Sequence, residues 1–463
     1  MSLVLGIDIG TSKICSCLVD RESGELVDVI SSDNREFLPS STFGERAQDS
    51  EKILKVIDYH YKSFISKGSI PDAIGISGQM HGIVYIDARG SPVSPLFTWQ
   101  DMRAEEILET GSSCVSCLRQ ITGSSLSCGY GSVTHFYHCY RNRVPAGAVT
   151  FCTIGDLAAL SLTREKTPVL HPSQAAGLGL FDPEHNVFDE DRIAEARKVC
   201  ARGSQMALSF FPAVSCEPAC VGETKDGIPV FISIGDNQAS FAGSVRDTEK
   251  TLLVNVGTGG QISCKTEKSV VLRESECRPY FGGDFLWVGS SLCGGRALAL
   301  LEQFFRKIAA GAGAAPDHMY EWIDRLSERA PDLENPLQFN TQFDGTRSDP
   351  HSFASIQSLR PENFTPEHFV AGILQGVADE LVSMYRQAEK HLDFAPSFLV
   401  GSGNGLRKNR VWRDVFSRKL EAPLLVPICK EEAAFGAALY AMVSAGFVTS
   451  LAQAQKLIRY TDD

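Results

Sequence analysis

The chain has 463 residues, 43% of them apolar and 22% charged, with a formal net charge of −12; this gives room for two large α/β domains, each with its own core. The acidic balance, with no Lys/Arg run to track a phosphate backbone, excludes nucleic acid as the expected partner, and the lack of any 18-residue apolar stretch excludes a membrane span. Fourteen dispersed cysteines match reduced thiols rather than a disulfide framework, and Met1–Gly6 carries no basic n-region or cleavable apolar segment, so a cytoplasmic location is expected.

Leu3–Ile9 is apolar apart from Asp8 and predicts a strand; Gly10-Thr11-Ser12-Lys13 is a turn, and Ile14–Val19 predicts the returning strand. Glycine allows a tight turn and a close approach to main-chain amides, and the Thr11 hydroxyl adds a donor, so such a tip can hold a phosphate. An ordinary hairpin turn has the same composition. Asp8, just before the tip, suits the holding of hydrated Mg²⁺. Ile74–Ser77 predicts a short strand opening onto Gly78-Gln79-Met80-His81-Gly82, and Phe97–Arg103 gathers Trp99, Gln100, Asp101 and Arg103. Planar polar groups beside an aromatic face suit a polyol, whereas His81 alone reads as a core or turn histidine. Cys114 and Cys117 with His135 and His138 loosely match a Cys₂His₂ zinc site, but H-x-x-H is one residue short of the usual spacing, and the structural reading is preferred.

Two aspartates, Asp156 in Thr153–Leu157 and Asp236 after Val230–Ile234, each follow a glycine; Asp236 stands just past a buried strand. An aspartate there can project into a site and accept the proton of an attacking hydroxyl, or can simply cap a turn. Leu253–Val256, Gly257-Thr258-Gly259-Gly260 and Gln261–Cys264 repeat the opening hairpin half a chain later. Two domains on one plan follow, and two facing Gly-Thr tips would grip a polyphosphate from both sides. Thr365 and Pro366 begin a helix whose apolar stripe includes Phe369, Ile373, Val377, Leu381 and Tyr385. Ser397–Val400 predicts a strand that runs into Gly401-Ser402-Gly403-Asn404-Gly405, with Leu406–Leu420 helical beyond it. Strand, glycine turn and helix admit a nucleotide at the helix N-terminus, although this is not the G-x-G-x-x-G fingerprint. Asn404 or Asn409 could meet an adenine or ribose edge; a plain turn with helix-entry asparagines is the alternative.

Taken in order, these segments resemble the FGGY carbohydrate kinases of the actin-like ATPase superfamily over nearly the whole chain. Asp8-Ile9-Gly10-Thr11 resembles the first phosphate motif and Gly257-Thr258 the second. Gly401–Asn404 resembles the adenosine motif, followed by the helix Glu431–Ala438, and Ser291–Arg296, with Gly294, the loop beside the adenine pocket. Gly235-Asp236-Asn237 resembles the segment with the catalytic aspartate. The resemblance implies an α/β fold of two actin-like, ribonuclease H-like ATPase domains with a cleft between them, residues 1–246 binding sugar and residues 247–463 binding nucleotide. It implies ATP and Mg²⁺ as cofactors, a small-molecule sugar as partner, and a homodimer as the assembly to test.

By the same resemblance Asp236 is the general base, and Gln79, Met80, His81, Trp99, Asp101 and Asn237 surround the sugar. Asp8, Thr11, Ser12, Lys13, Gly257, Thr258, Gly294, Gly401, Gly403, Asn404 and Asn409 surround ATP, with Asp8 and Asp236 holding Mg²⁺ mostly through water. Glycerol kinases carry an Arg-Glu pair where this chain has Gln79-Met80-His81, so the expected substrate is a ketose phosphorylated at its terminal hydroxyl. Thr98–Asp101, Asp236–Ser240 and Gly401–Asn409 look more like the members acting on sedoheptulose. Xylulose or another pentulose is the alternative, and a nucleotide switch without a sugar is the remaining class. Three places depart from the family pattern. Lys13 stands one or two positions short of the usual basic residue, Gly155-Asp156-Leu157 lacks bulky flanking residues, and His171–Gly177 replaces a stretch that often opens Ser-Asp.

Overall fold

In a computed structural model, the structure describes residues 2–109, 111–200, 210–216, 218–270, 272, 275–314, 317–330, 333–346, 349, 351–392 and 394–461. Contacts divide the chain into two units. The first comprises Met1–Arg246, Pro279–Gly283 and Cys429–Ile458; the second comprises Asp247–Arg278, Asp284–Ile428 and Arg459–Asp463. The first switch falls at 246/247, and the segments 279–283 and 429–458 pack with the first unit.

In the first unit, β1 (Leu3–Ile9) and β2 (Lys13–Asp20) form an antiparallel hairpin with Asp8 opposite Cys15, and β3 (Leu26–Asp33) extends it. After α1 (Ser50–Ser66), β4 (Ala73–Gly78) returns parallel to β1 on its other side. Later come α2 (Ile154–Thr163), β5 (Cys220–Glu223), β6 (Pro229–Phe231), β7 (Ile234–Gly235) and α3 (Asp236–Ser244). The sheet order is β5-β6-β4-β1-β2-β3, with β7 also paired to β4. Every residue of β4 is buried, whereas β3 alternates between half-buried and exposed. A central parallel strand covered on both faces reads as an unbroken apolar run, and an edge strand alternates.

The second unit repeats the plan. β8 (Thr251–Val256) and β9 (Gly260–Thr266) form the hairpin. β10 (Ser275–Pro279) forms an edge, and β11 (Phe285–Ser291) pairs antiparallel with β9. Beyond α4 (Gly295–Gly311) and the 27-residue α5 (Pro366–Leu392), β12 (Phe398–Ser402) lies parallel to β8. α6 (Arg410–Leu420) then precedes β13 (Leu424–Leu425), and the sheet order is β10-β11-β9-β8-β12-β13. Three antiparallel strands followed by parallel ones thus occur twice. The expected stripe of α5 is the core face: Ile373, Val377, Leu381 and Tyr385 are buried, and Trp412 of α6 donates its indole N–H to Leu374 O at 3.0 Å.

One late element belongs to the first unit. α7 (Glu432–Ser444) is apolar on all sides, and Ala434 through Met442 are buried without interruption, as a helix enclosed by protein must be. It lies against β1, β4 and α3 at glycines that remove the side-chain barrier. A Cβ on Gly6 would stand 1.9 Å from Ala434 O, and one on Gly75 2.0 Å from Ala437 O. Against α3, a Cβ on Gly436 would stand 1.9 Å from Ala239 O and one on Gly243 2.0 Å from Glu432 O.

Candidate active site

In the first unit the C-terminal ends of three parallel strands lie side by side, with Ile9 paired to Gly78 and Gly78 to Gly235. Strand ends of this kind in an open α/β sheet carry the polar groups that meet ligands. Here they present Asp8 from β1, Gln79 and Met80 after β4, and Asp236 as the first residue of α3.

Asp8 Oδ1 accepts from Ser77 Oγ at 2.7 Å. The residue keeps some accessible surface, but protein crowds its carboxyl. Burial, followed by the neighbouring Asp236 carboxylate, pushes its pKa up to about 7 against the opposing pull of Ser77 and Lys13. Lys13 opens β2 and is ion-paired with Glu431, its side chain 45% exposed. Partial burial works against the ammonium charge, but the Glu431 partner outweighs it and the Lys13 pKa is raised.

The tip and the polar segments are joined by hydrogen bonds. Thr11 Oγ1 donates to Gln79 Oε1 at 3.1 Å and accepts from Trp99 Nε1 at 2.9 Å. Gln79 Nε2 donates to Gln48 Oε1 at 3.0 Å, and Gln48 Nε2 donates to Thr11 O at 2.9 Å. The Trp99 ring stays 46% exposed, so an aromatic face stands beside these amides, while Ser12 is exposed on the turn. Met80 is buried with its sulfur against Gly235, where a Cβ would stand 2.8 Å away. His81 adopts φ 73°, stacks on Tyr130 with centroids 4.8 Å apart, and places Nδ1 2.7 Å from Gly177 O. A carbonyl only accepts, so Nδ1 carries the proton and Nε2 of the neutral ring is an acceptor.

Behind this row, Ser173 Oγ accepts from Gly235 N at 3.0 Å, and Gln174 Nε2 bridges Ile234 O at 3.0 Å and Gly78 O at 3.3 Å. Asp236 and Asn237 occupy the first turn of α3, each half-buried. Asp101 differs from the expectation of an available sugar ligand. It is 2% exposed, and its oxygens accept from Arg103 Nε at 2.9 and 3.1 Å and from Arg46 N at 3.1 Å. Its carboxylate braces the loop. Asp156, the rival base, is committed to a capping box: Oδ2 accepts from Thr153 Oγ1 and Oδ1 from Ser233 Oγ, both at 2.6 Å. Burial raises its pKa to about 6. His135 and His138 place their Nδ1 atoms 3.0 and 3.1 Å from the Tyr85 hydroxyl inside an aromatic cluster. Burial drives His135 down to about 3 and His138 well below the usual histidine range. Among the described residues no group of three or more His, Cys, Asp or Glu is placed to hold a metal.

The second unit gathers its own set. The Gly257–Gly259 turn docks on the start of α4: Gly294 N donates to Thr258 O at 2.9 Å, and Gly295 N to Gly257 O at 2.8 Å. Gly403, at φ +77°, lies so close that a Cβ would stand 2.5 Å from Val256 O, which only glycine permits. Thr258 and Asn404 are exposed there. Gly401 lies within β12, packed near Leu424. Asn409 caps α6: its side-chain oxygen accepts from Trp412 N at 2.9 Å, and Nδ2 faces Ser327 Oγ at 3.3 Å and Asp324 Oδ1 at 3.4 Å. Its amide is committed on both sides, unlike that of the expected nucleotide ligand. The sequence reading gave no site role to Ser77 on Asp8, Gln48 in the amide network, Tyr130 under His81 or, above all, Glu431. None of these has a local pattern to reveal it.

Two carboxylates of which one raises the proton affinity of the other form a charge excess that a divalent cation relieves. Mg²⁺ takes one or two carboxylates and completes its shell with water and phosphate oxygens, so Asp8 and Asp236 fit it.

Residues 3–243 match the N-terminal domain of the FGGY family of carbohydrate kinases, and residues 252–445 match its C-terminal domain. The chain belongs to the FGGY family. Sedoheptulokinase of Mus musculus is 24% identical over 94% of this chain and 96% of its own. Xylulose kinase from Rhodospirillum rubrum superposes with a TM-score of 0.83 at 20% identity, covering 99% of this chain and 93% of that one. Plasmodium falciparum glycerol kinase, solved with ADP, gives 0.80 at 18% identity, covering 99% and 92%. As an FGGY kinase the protein is an ATP-dependent phosphotransferase acting on the alcohol group of a sugar. Among the described residues no helix is long and apolar enough to cross a membrane.

Proposed function

We propose that this FGGY kinase phosphorylates the terminal hydroxyl of a ketose, converting sedoheptulose to sedoheptulose 7-phosphate, with Asp236 as general base. The observation that carries the chemistry is that Asp8 and Asp236 stand at strand ends on either side of β4, near enough that Asp236 raises the proton affinity of Asp8, while Asp156 is spent on a helix cap. Support for the sugar comes from the amide, thioether and imidazole of Gln79, Met80 and His81 beside the exposed Trp99 face, and from the similarity to mouse sedoheptulokinase.

On this reading residues 1–246 bind the sugar and residues 247–463 the nucleotide. His81 and Asn237 hydrogen-bond sugar hydroxyls, Met80 and Trp99 pack on the sugar's carbon face, Gln79, buried with both ends of its amide engaged, holds Thr11 and through it the Trp99 indole, and Asp101 keeps the Trp99 loop in place. The Asp236 carboxylate takes the proton of the attacking hydroxyl. Lys13 and Ser12 offer charge and a donor to phosphates, and the Gly257–Gly259 amides, Thr258, Gly294, Gly403 and Asn404 serve the nucleotide. Asp8 and Asp236 would hold Mg²⁺, mostly through water, and the ion when bound would supply neutralisation of phosphate charge.

A coupled ADP-release assay with sedoheptulose, xylulose, ribulose, gluconate and glycerol tests the reading. The highest kcat/KM is expected with sedoheptulose; a preference for xylulose moves the substrate to the pentuloses. ADP release independent of any sugar overturns the ketose site. Asp236→Asn should lower kcat by about 10²–10⁴-fold with ADP affinity nearly unchanged, and a near-normal kcat removes Asp236 as the base.

A further inference from the structure

Glu431 stands outside the residues assigned above to sugar, nucleotide or metal, yet its carboxylate is the one ion-paired with the Lys13 ammonium among the described residues. It immediately precedes α7. The glycine contacts at Gly6, Gly75, Gly243 and Gly436 bring backbone against backbone, so α7 has no freedom to slide or rotate. Ser77 Oγ, which holds Asp8, also lies 3.4 Å from Ala433 O. The start of α7 is thereby registered against β1, β4 and α3 together, and Glu431 is held at a set distance from the turn between β1 and β2.

Lys13 has the opposite character. Its flexible four-carbon arm begins where the Gly10–Ser12 turn ends, and its side chain is 45% exposed. Lys13 opens β2 on the same face as Cys15, the residue opposite Asp8. An ammonium on so long an arm, without its partner, has no fixed place beside the turn and is spread over many rotamers.

We propose that Glu431 is a positioning residue, whose carboxylate holds the Lys13 ammonium beside the Gly10–Ser12 turn. Lys13 is thereby presented to the phosphates. This rests on the proposed assignment of Lys13 and Asp236 to phosphoryl transfer.

The test is a double-mutant cycle on the full chain with Glu431→Gln, Lys13→Met and the combination. Three quantities are read: ADP affinity by calorimetry without added metal, kcat and KM for ATP and sugar, and the thermal midpoint. Glu431→Gln is expected to weaken ADP binding and to lower kcat/KM for ATP about tenfold, the worth of one charge-assisted contact, with KM for the sugar within about twofold. Lys13→Met should lose as much, and the combination no more than either alone. If the two losses multiply, Glu431 acts independently of Lys13 and the proposal fails. Tighter ADP binding by Glu431→Gln also overturns it, since Glu431 would then merely compete with the phosphates for Lys13. Should Glu431→Gln fold poorly, Glu431→Asp, which keeps the charge but shortens its reach, is expected to keep the thermal midpoint and still lose ADP affinity; unchanged affinity refutes the role. Asp236→Asn in the same assays fails separately if the base is wrong, because the metal-free ADP cycle does not pass through proton transfer.

Discussion

The contact between α3 and α7 is the place where packing and the Asp236 site are most directly joined, and Gly436→Ala tests it. An alanine Cβ would stand 1.9 Å from Ala239 O and 2.9 Å from Gly243 N, whereas real Cβ atoms essentially never approach closer than 3.0 Å. Both opposing atoms are backbone, so no rotamer change relieves the clash, and the helices must part by about 1 Å. Alanine gains about 1 kcal/mol of helix propensity over glycine, but overpacking a closed core costs about 1–3 kcal/mol and sometimes more. With backbone on both sides and one contact more than 1 Å inside the limit, the cost lies at the top of that range, and the difference is a net loss of about 2 kcal/mol. Urea denaturation followed by circular dichroism should show a lower midpoint at an unchanged slope. Because α3 begins at Asp236 and Glu431 precedes α7, kcat should also fall, while KM for the sugar moves less. A variant as stable as the parent would refute the reasoning, because it would mean that the two helices do not touch through their backbones.

Two further outcomes follow from the titrating groups. Asp8 has its pKa raised from 3.8 to about 7 in the fold, so the protonated form is favoured. The cost of ionising it is absent below about pH 4, grows between about pH 4 and 7, and stays constant above. Metal-free Asp8→Asn should therefore gain about 2 kcal/mol over the parent at pH 8 relative to pH 4, discounted for the solvent that reaches the site. Parallel stability curves in denaturant titrations at the two pH values would dismiss the raised pKa of Asp8, which burial causes first and Asp236 second. Asp156→Ala removes a cap and leaves Ser233 and Thr153 without their buried acceptor; a loss of about 2–3 kcal/mol is expected with kcat within about threefold, and a kcat loss as deep as that of Asp236→Asn would return Asp156 to candidacy as the base.

Both hairpins were legible because each places apolar runs on either side of a Gly-Thr turn, and β4 because a strand covered on both faces has no polar position to confuse the pattern. Asp8 and Asp236 were legible for a related reason: a carboxylate ending such a run can only emerge at the strand end. Asp101 and Asn409 misled because composition shows which groups are polar, not which are already engaged. Arg103 claims the first from two residues away, and the second stands three residues before Trp412, the spacing of an N-cap. The place of α7 had no signal. A helix apolar all round has no stripe to say which surface it covers, and the glycines that seat it are scattered through two strands and another helix. Glu431 accordingly stood only as the first residue of the helix Glu431–Ala438, with nothing local to tie it to Lys13. The C-terminal family match, residues 252–445, includes α7 and Glu431, yet both pack in the first unit. Residues 1–246 by themselves therefore lack both the helix that closes β1 and β4 at Gly6 and Gly75 and the carboxylate that answers Lys13. The countercharge of Lys13 comes from the far end of the chain, which is why no reading of the local motifs could complete the site.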